Sequence, residues 1–289
     1  MSLVSSLAVE NAPIRTRAAT GALAPLLLIG ILLLATGLRF YKLDCQSFWN
    51  DEGNSARLSE RSLPLILEGT ASDIHPPLYY IALRGWRDLV GDSEFGLRSF
   101  SAFAGVLTVA AANALGRRLF RSSVPLSGAA PTVLVGALLA ALNPALVYYS
   151  QEARMYALLA LLASLSTLAL LRWLDASRRW LWAAAYIVLS TAGLYTHFFY
   201  PALFLFQGLV VLLWYLRAQV TPVFAPGQLS RDPHRARIPL GWLLMVFICI
   251  VLYTPWLPIF LRQVGGRSAE RAPFLEFLWD SLRSVSYTH

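Results

Sequence analysis

Six long stretches of the chain contain no Asp, Glu, Lys or Arg: Ala18 to Leu38, Ser99 to Gly116, Pro125 to Gln151, Met155 to Leu171, Trp180 to Leu216 and Ile238 to Leu261. No other feature constrains the fold as strongly. A helix crosses a bilayer with about 20 apolar residues, whereas a helix on a water-soluble domain carries charge on its outer face. With 57% of its 289 residues hydrophobic and 14% charged, the chain is too apolar for one soluble globule, and an all-α integral membrane protein is expected. The fifth stretch exceeds one span and is broken at "YTHFFYP", Tyr195 to Pro201. Seven spans are therefore expected, at about 18–38, 99–116, 131–149, 155–171, 180–197, 201–216 and 239–260.

The first span follows Arg15 and Arg17, as in a signal peptide, but its apolar run is long and six more spans follow. An uncleaved anchor fits better. The expected organisation is a cytoplasmic tail (1–17), a transmembrane module (18–261) with a long loop at 39–98, and an outer C-terminal segment (262–289). That last segment stops at "SLRSVSYTH" in mid-pattern, as a fragment or a minimal form would, and "RAPFLEFLWDSLRSV" within it reads as an interfacial helix. Cys45 and Cys249 do not indicate a disulfide framework.

A net charge of +8 invites a nucleic-acid partner, yet 23 of the 24 basic residues are Arg, scattered through the connections between spans. The tail and segments 117–124, 172–179 and 217–238 hold 12 basic residues against three acidic ones, whereas 39–98 holds seven against nine. By the positive-inside rule the first set is cytoplasmic and the loop after span one faces outward. Orientation accounts for the charge, and no nucleic acid is implied.

"IHPPLYYIALRGWRDLVG" is apolar enough to resemble a span, but Arg84, Arg87 and Asp88 lie within it and each charge at bilayer depth costs roughly 2.5–3.5 kcal/mol. An interfacial helix with Leu78, Ile81, Ala82 and Trp86 on its apolar side is expected instead. "EGNSARLSERSLPLILEG" reads as a second, capped by Asn54 or Ser55 and ending near Pro64. The long extracytoplasmic loop thus holds two interfacial amphipathic helices. "TPVFAPGQLSRDPHRARIP" reads as a Pro-rich linker.

The remaining polar residues gather at the outward ends of the spans. Asp51 and Glu52 stand in "FWNDEGNSARLSE" directly after span one, Glu152 and Arg154 in "YYSQEARMY" at the next outer turn, His197 in "GLYTHFFYP" and His75 in "DIHPPLYY". Each has a plain alternative: dipole-stabilised acids at a helix start, a solvated turn, an interfacial histidine. Two adjacent acids can instead divide labour, one as general base and one as a metal or substrate ligand. Tyr149 and Tyr156 supply surfaces suited to a sugar. Asp51 and Glu152 are the candidate ligands for a divalent cation; no other cofactor is implied, and no zinc spacing is present.

The motifs "FWNDEG", "HPPLYY", "SEFGLRSFSAFAGVLTVAAANALGRRLF" and "YYSQEARMYALLALL" together resemble the GT-C membrane glycosyltransferases, within them the protein O-mannosyltransferase and aminoarabinose transferase group, over about residues 20–260. The resemblance implies a hexosyl- or pentosyltransferase that uses a polyprenyl-phosphate-linked sugar donor. Transfer would occur with inversion on the extracytoplasmic face of the cell membrane, to an acceptor hydroxyl or amine on a protein, lipid or glycan. It implies Asp51 as base with Glu52 as its partner. His75, Tyr149, Glu152, Arg154, Tyr156 and His197 become candidate substrate-binding residues, Arg154 opposing the phosphate charge. The competing class is a non-enzymatic membrane protein, a transporter or binding scaffold. Transporters place polar groups at the bilayer midplane, whereas here mid-span charges are missing.

Overall fold

Each of the seven apolar segments folds as helix in the computed structural model, which describes residues 15–120, 126–175, 179–220 and 237–267. Those residues form α1 (Arg15–Phe40), α2 (Asn50–Ser59), α3 (Leu63–Ser72), α4 (Leu78–Val90), α5 (Glu94–Phe120) and α6 (Leu126–Leu142). There follow α7 (Pro144–Ser150), α8 (Tyr156–Asp175), α9 (Arg179–Thr196), α10 (Pro201–Val220), α11 (Ile238–Tyr253) and α12 (Leu257–Arg267). No strand occurs among them. The expected C-terminal helix and nearly all of the Pro-rich linker lie outside the described residues.

Three helices are long and apolar enough to cross a membrane alone, within α1, α5 and α8; the number reaches five if the bent pairs α6–α7 and α11–α12 each count as one span. The bends are 53° and 79°. At the first, Pro144 lacks the N–H that would continue α6. Asn143 restarts the helix by accepting the Leu146 N–H on its side chain at 3.0 Å, with Pro at the first position of α7.

The helices form two compact units, and the chain passes between them within α2, α4 and α9. The first comprises residues up to Arg57 and Gly85–Leu189, the second Leu58–Arg84 and Ser190 onward. In the first, α5 packs against α8, α6, α1 and α7. Its buried side is made largely of small residues, Ser99, Ser101, Ala102, Ala104, Gly105 and Ala111. Among them Ala104 clusters with Ala157 and Leu161 of α8, while Val109 of the same helix clusters with Ala35 of α1 and with Ala137 and Ala141 of α6. In lipid, helices gain little from burying apolar area against one another, so close backbone approach over small side chains supplies the packing. The large apolar residues point outward instead, as Leu26 and Leu33 do on α1. This reversal of the soluble pattern is that of a lipid-facing surface.

In the second unit α10 packs on α11, and the Tyr200 ring closes over Gly193 while its hydroxyl donates to Ser190 Oγ at 3.3 Å. The Gln263 amide of α12 donates to Thr70 O at 3.0 Å and also to Asp73 O, satisfying carbonyls at the end of α3.

Two expectations for the long loop are corrected. It holds three helices rather than two, because Pro64 starts α3 instead of ending its predecessor; Asn54 and Ser55 lie inside α2, where Ser55 Oγ bonds back to Asp51 O. The buried stripe of α4 is Tyr79, Tyr80 and Leu83, with Leu78, Ile81, Ala82 and Trp86 only partly covered. Tyrosine buries an apolar ring while keeping a polar tip, so hydrophobic spacing alone sets the stripe one residue out of phase.

Candidate functional site

Asp51 and Glu52 occupy the first turn of α2, where the helix dipole favours negative charge. One residue apart on a helix, their side chains diverge by about 100°. Glu52 turns inward and is 1% exposed. Arg98 of α5 grips it with both arms of its guanidinium, Nε to Oε1 at 2.8 Å and Nη2 to Oε2 at 2.7 Å, and the Ala153 N–H adds a third bond to Oε1 at 2.7 Å. Glu52 was expected to share the chemistry with Asp51. Both of its oxygens are bonded within the protein, to Arg98 and to the Ala153 N–H.

Arg98 was not singled out from the sequence, yet it organises the approach to the acidic pair. Its Nη1 donates to Leu43 O at 2.8 Å and Gln46 O at 2.7 Å, its Nη2 to Ser47 O at 3.3 Å, and the guanidinium lies 5.2 Å from the Phe48 ring centroid. The signal available was a single basic residue in the first turns of an apolar helix, where an unpaired charge is costly.

Asp51 faces outward, with 41% of its side chain exposed, and its Oδ2 lies 3.1 Å from Nη2 of Arg154. Arg154 is itself buried, and its guanidinium carbon lies 5.7 Å from the Tyr156 ring centroid. Tyr156 in turn packs on Tyr149 at 4.7 Å between centroids. The turn between α7 and α8 is irregular: the Arg154 N–H closes on Glu152 O at 2.8 Å, and Ser101 Oγ donates to Arg154 O at 3.2 Å. That irregularity brings Glu152 and Arg154 into one buried neighbourhood that regular helix would not provide.

Glu152 is 7% exposed, and burial pushes its carboxyl pKa up, with the charge of Glu52 adding to the rise. A hydrogen bond from Tyr148 and the charges of Arg154 and Arg98 pull the other way. Tyr149 and Tyr156 also line a cavity of about 110 Å³ with Ser150, Gly105 and Thr108. The first unit thus brings together Asp51, Glu52, Glu152, Arg154, Tyr149 and Tyr156 among the expected residues. Chemically it offers a half-exposed carboxylate, a buried guanidinium beside it, and a second carboxyl group whose pKa burial raises.

His75 and His197 form their own cluster in the second unit, both buried, with ring centroids 5.7 Å apart. Nδ1 of His75 lies 3.7 Å from Asp73 Oδ2. Nδ1 of His197 accepts the Phe199 N–H at 3.2 Å, and its ring stacks on Phe198 and Phe199. Among the described residues no group of three or more His, Cys, Asp or Glu side chains suited to a metal ion is assembled.

The family model for dolichyl-phosphate-mannose-protein mannosyltransferases matches residues 74–225, just over half of the chain. The match takes in His75, Arg98, Glu152, Arg154 and His197 and begins after the Asp51–Glu52 pair. Among solved structures, the S. cerevisiae protein O-mannosyltransferase Pmt1-Pmt2 complex bound to the sugar donor aligns with 85% of this chain and 36% of its own, at TM-score 0.57 and 18% identity. At that identity the likeness is one of fold, the GT-C membrane fold, and the chain spans about a third of the length of the chain it matches. No curated protein matches.

Proposed function

The chain belongs to the dolichyl-phosphate-mannose-protein mannosyltransferase family, and from that premise we propose that it transfers a sugar, mannose in the first instance, from a polyprenyl-phosphate donor to an acceptor hydroxyl. The observation that carries this reading is the division of labour within "NDEG": Glu52 is buried against Arg98, while Asp51 remains half exposed beside Arg154. In the proposed reaction the acceptor oxygen attacks the anomeric carbon, the bond from that carbon to the phosphate oxygen breaks, and configuration inverts. The acceptor's proton passes to an Asp51 carboxylate oxygen, and the bonding pair leaves with the polyprenyl phosphate. Arg154 orients the Asp51 carboxylate and places positive charge beside the phosphate. Glu52, through Arg98 and Ala153, holds the turn that presents Asp51. Tyr149 and Tyr156 offer stacking surface to the sugar, and His75 and His197 are kept as proposed substrate-binding residues within their own unit.

The reading places the site on the extracytoplasmic side of a cell membrane, supported by the charge bias of the connecting segments. Reconstituted protein supplied with mannosyl polyprenyl phosphate and an acceptor tests it. Asp51→Asn keeps the shape and the Arg154 contact but is expected to lose about 10²-fold or more in kcat, the usual yield of a general base. Wild-type turnover in a folded Asp51→Asn protein rules out the assigned base. Donor binding without transfer by the parent enzyme favours a binding or transport role.

A further inference from the structure

We propose that Arg39 and Gln151 form a reciprocal capping clamp between the end of α1 and the α6–α7 bend, and that both are positioning residues for the reaction proposed above, on which this inference rests. α6 ends badly. Pro144 has no N–H to offer the Ala140 carbonyl, so that acceptor is orphaned in an apolar setting. Arg39, fully buried in the last turn of α1, supplies the missing donors: Nη2 to Ala140 O at 3.4 Å and Nη1 to Ala141 O at 3.2 Å. Nη1 also reaches Ala35 O of its own helix at 3.2 Å. All three recorded partners are main-chain carbonyls rather than carboxylates, and the negative end of the α6 dipole offsets the guanidinium charge.

The end of α1 is orphaned in turn. Lys42 adopts a positive φ of 51°, which stops the helix and leaves its last carbonyls without helical donors. Gln151 supplies them, its Nε2 donating to Leu38 O at 3.0 Å and Tyr41 O at 3.2 Å. Each helix end therefore completes the other, with the two donors exchanged between segments about 100 residues apart. α5 closes the joint at Gly105, where an added Cβ would stand 2.0 Å from Ser150 Oγ and 2.7 Å from Arg39 Nε.

The clamp acts on the site through the chain itself. Gln151 immediately precedes Glu152, the Ala153 N–H holds Glu52, and Arg154 holds Asp51. A register error at residue 151 moves all three groups together. A cap that merely stabilised the fold would leave the geometry of turnover intact in any variant that still folds.

The experiment compares the wild type with Arg39→Lys, Arg39→Met, Gln151→Leu and the Arg39→Met/Gln151→Leu double variant. The first readout is transfer from mannosyl polyprenyl phosphate. Gln151→Leu and Arg39→Met are each expected to lower kcat about 10- to 100-fold, as displaced catalytic groups do, with donor KM within about twofold. Arg39→Lys, which keeps a cationic donor at the end of α6, recovers most of the loss, and the double variant falls no further than the worse single one. Losses that multiply in the double variant, or an unchanged kcat in Gln151→Leu, overturn the clamp; the second criterion stands even where Arg39→Met does not fold.

The second readout needs no activity. Ala153, fully buried, is replaced by Cys in a Cys45→Ser/Cys249→Ala background and exposed to a membrane-impermeant maleimide. Labelling is expected to accelerate about fivefold or more in Gln151→Leu, through local opening of the turn. Equal labelling rates overturn the clamp, whereas absent transfer in the wild type with accelerated labelling overturns only the assigned reaction.

Discussion

Neighbouring acids in the sequence become chemically different residues once α2 starts: Glu52 is enclosed by Arg98 and Ala153, while Asp51 meets Arg154 at a half-open surface. The enclosed pair is worth most when it is broken. Removing one member leaves a charge buried alone, so Arg98→Met is expected to cost about 3–5 kcal/mol in unfolding of the detergent-solubilised protein, and a change below about 1 kcal/mol would assign the pair little structural weight. Glu152 gives a prediction in pH. Its folded pKa lies above the ordinary value of 4.5, with burial the first cause. The stability tied to that shift is therefore fully present below about pH 4.5 and is lost as pH rises through the raised folded value. Glu152→Gln, whose amide oxygen still accepts from Tyr148, is expected to match the wild type near pH 4 and to be the more stable protein at pH 7. Equal stability of the two at both pH values would show that burial of this acid costs the fold nothing. Asp51, Glu152 and Arg154 were legible in the sequence because each interrupts or ends an apolar run. Arg98 and its contact with Glu52 were not, since a pair 46 residues apart leaves no periodic trace.

Helices whose outer faces meet lipid must find their contacts through backbone proximity, and two glycines show how little room remains. Gly105 of α5 faces Ser150 and Arg39; Gly193 of α9 faces Tyr200 at the start of α10, where an added Cβ would lie 2.0 Å from the ring carbon Cε2. Tyr200 is 2% exposed and tied to Ser190, so its ring cannot swing clear. Gly193→Ala is therefore expected to cost at least about 1–3 kcal/mol, the range for overpacking, read as a lowered midpoint in thermal unfolding, while Gly136→Ala, with nothing within 4 Å of its added Cβ, does not lower the midpoint, alanine being the better helix former. An equal shift in both would mean that helix propensity rather than crowding governs the hairpin. At this scale the apolar segments were readable because span length is set by the bilayer. The interfacial helices were readable only in outline. Pro64 suits either the end of one helix or the first turn of the next, and the paired Tyr79 and Tyr80 hide a buried stripe behind hydroxyl groups.

At the scale of the whole molecule, the distribution of arginine argues for one orientation. Twelve basic residues lie in the tail and the three alternate connections, against three acidic ones, whereas the segment from 39 to 98 is slightly acidic. Translocation of Arg-rich short loops is disfavoured, so the bias argues for one topology independently of the fold that follows. The fold adds one constraint that counting charges could not: Glu52 bonds Ala153 and Asp51 meets Arg154, so the start of α2 and the turn after α7 lie on the same side of the membrane. An eighth span through α4 would have separated that parity, and α4 carries Arg84, Arg87 and Asp88 within 13 residues. The orientation is tested in intact cells on a Cys45→Ser/Cys249→Ala background with a membrane-impermeant maleimide. Asn54→Cys, exposed on α2, is expected to be labelled from outside, and Ser177→Cys, in the Arg-rich connection after α8, only after the membrane is permeabilised. Outside labelling of Ser177→Cys, with Asn54→Cys protected, would turn the protein over. It would place Asp51 on the cytoplasmic side, where a donor displayed on the outer face could not reach it.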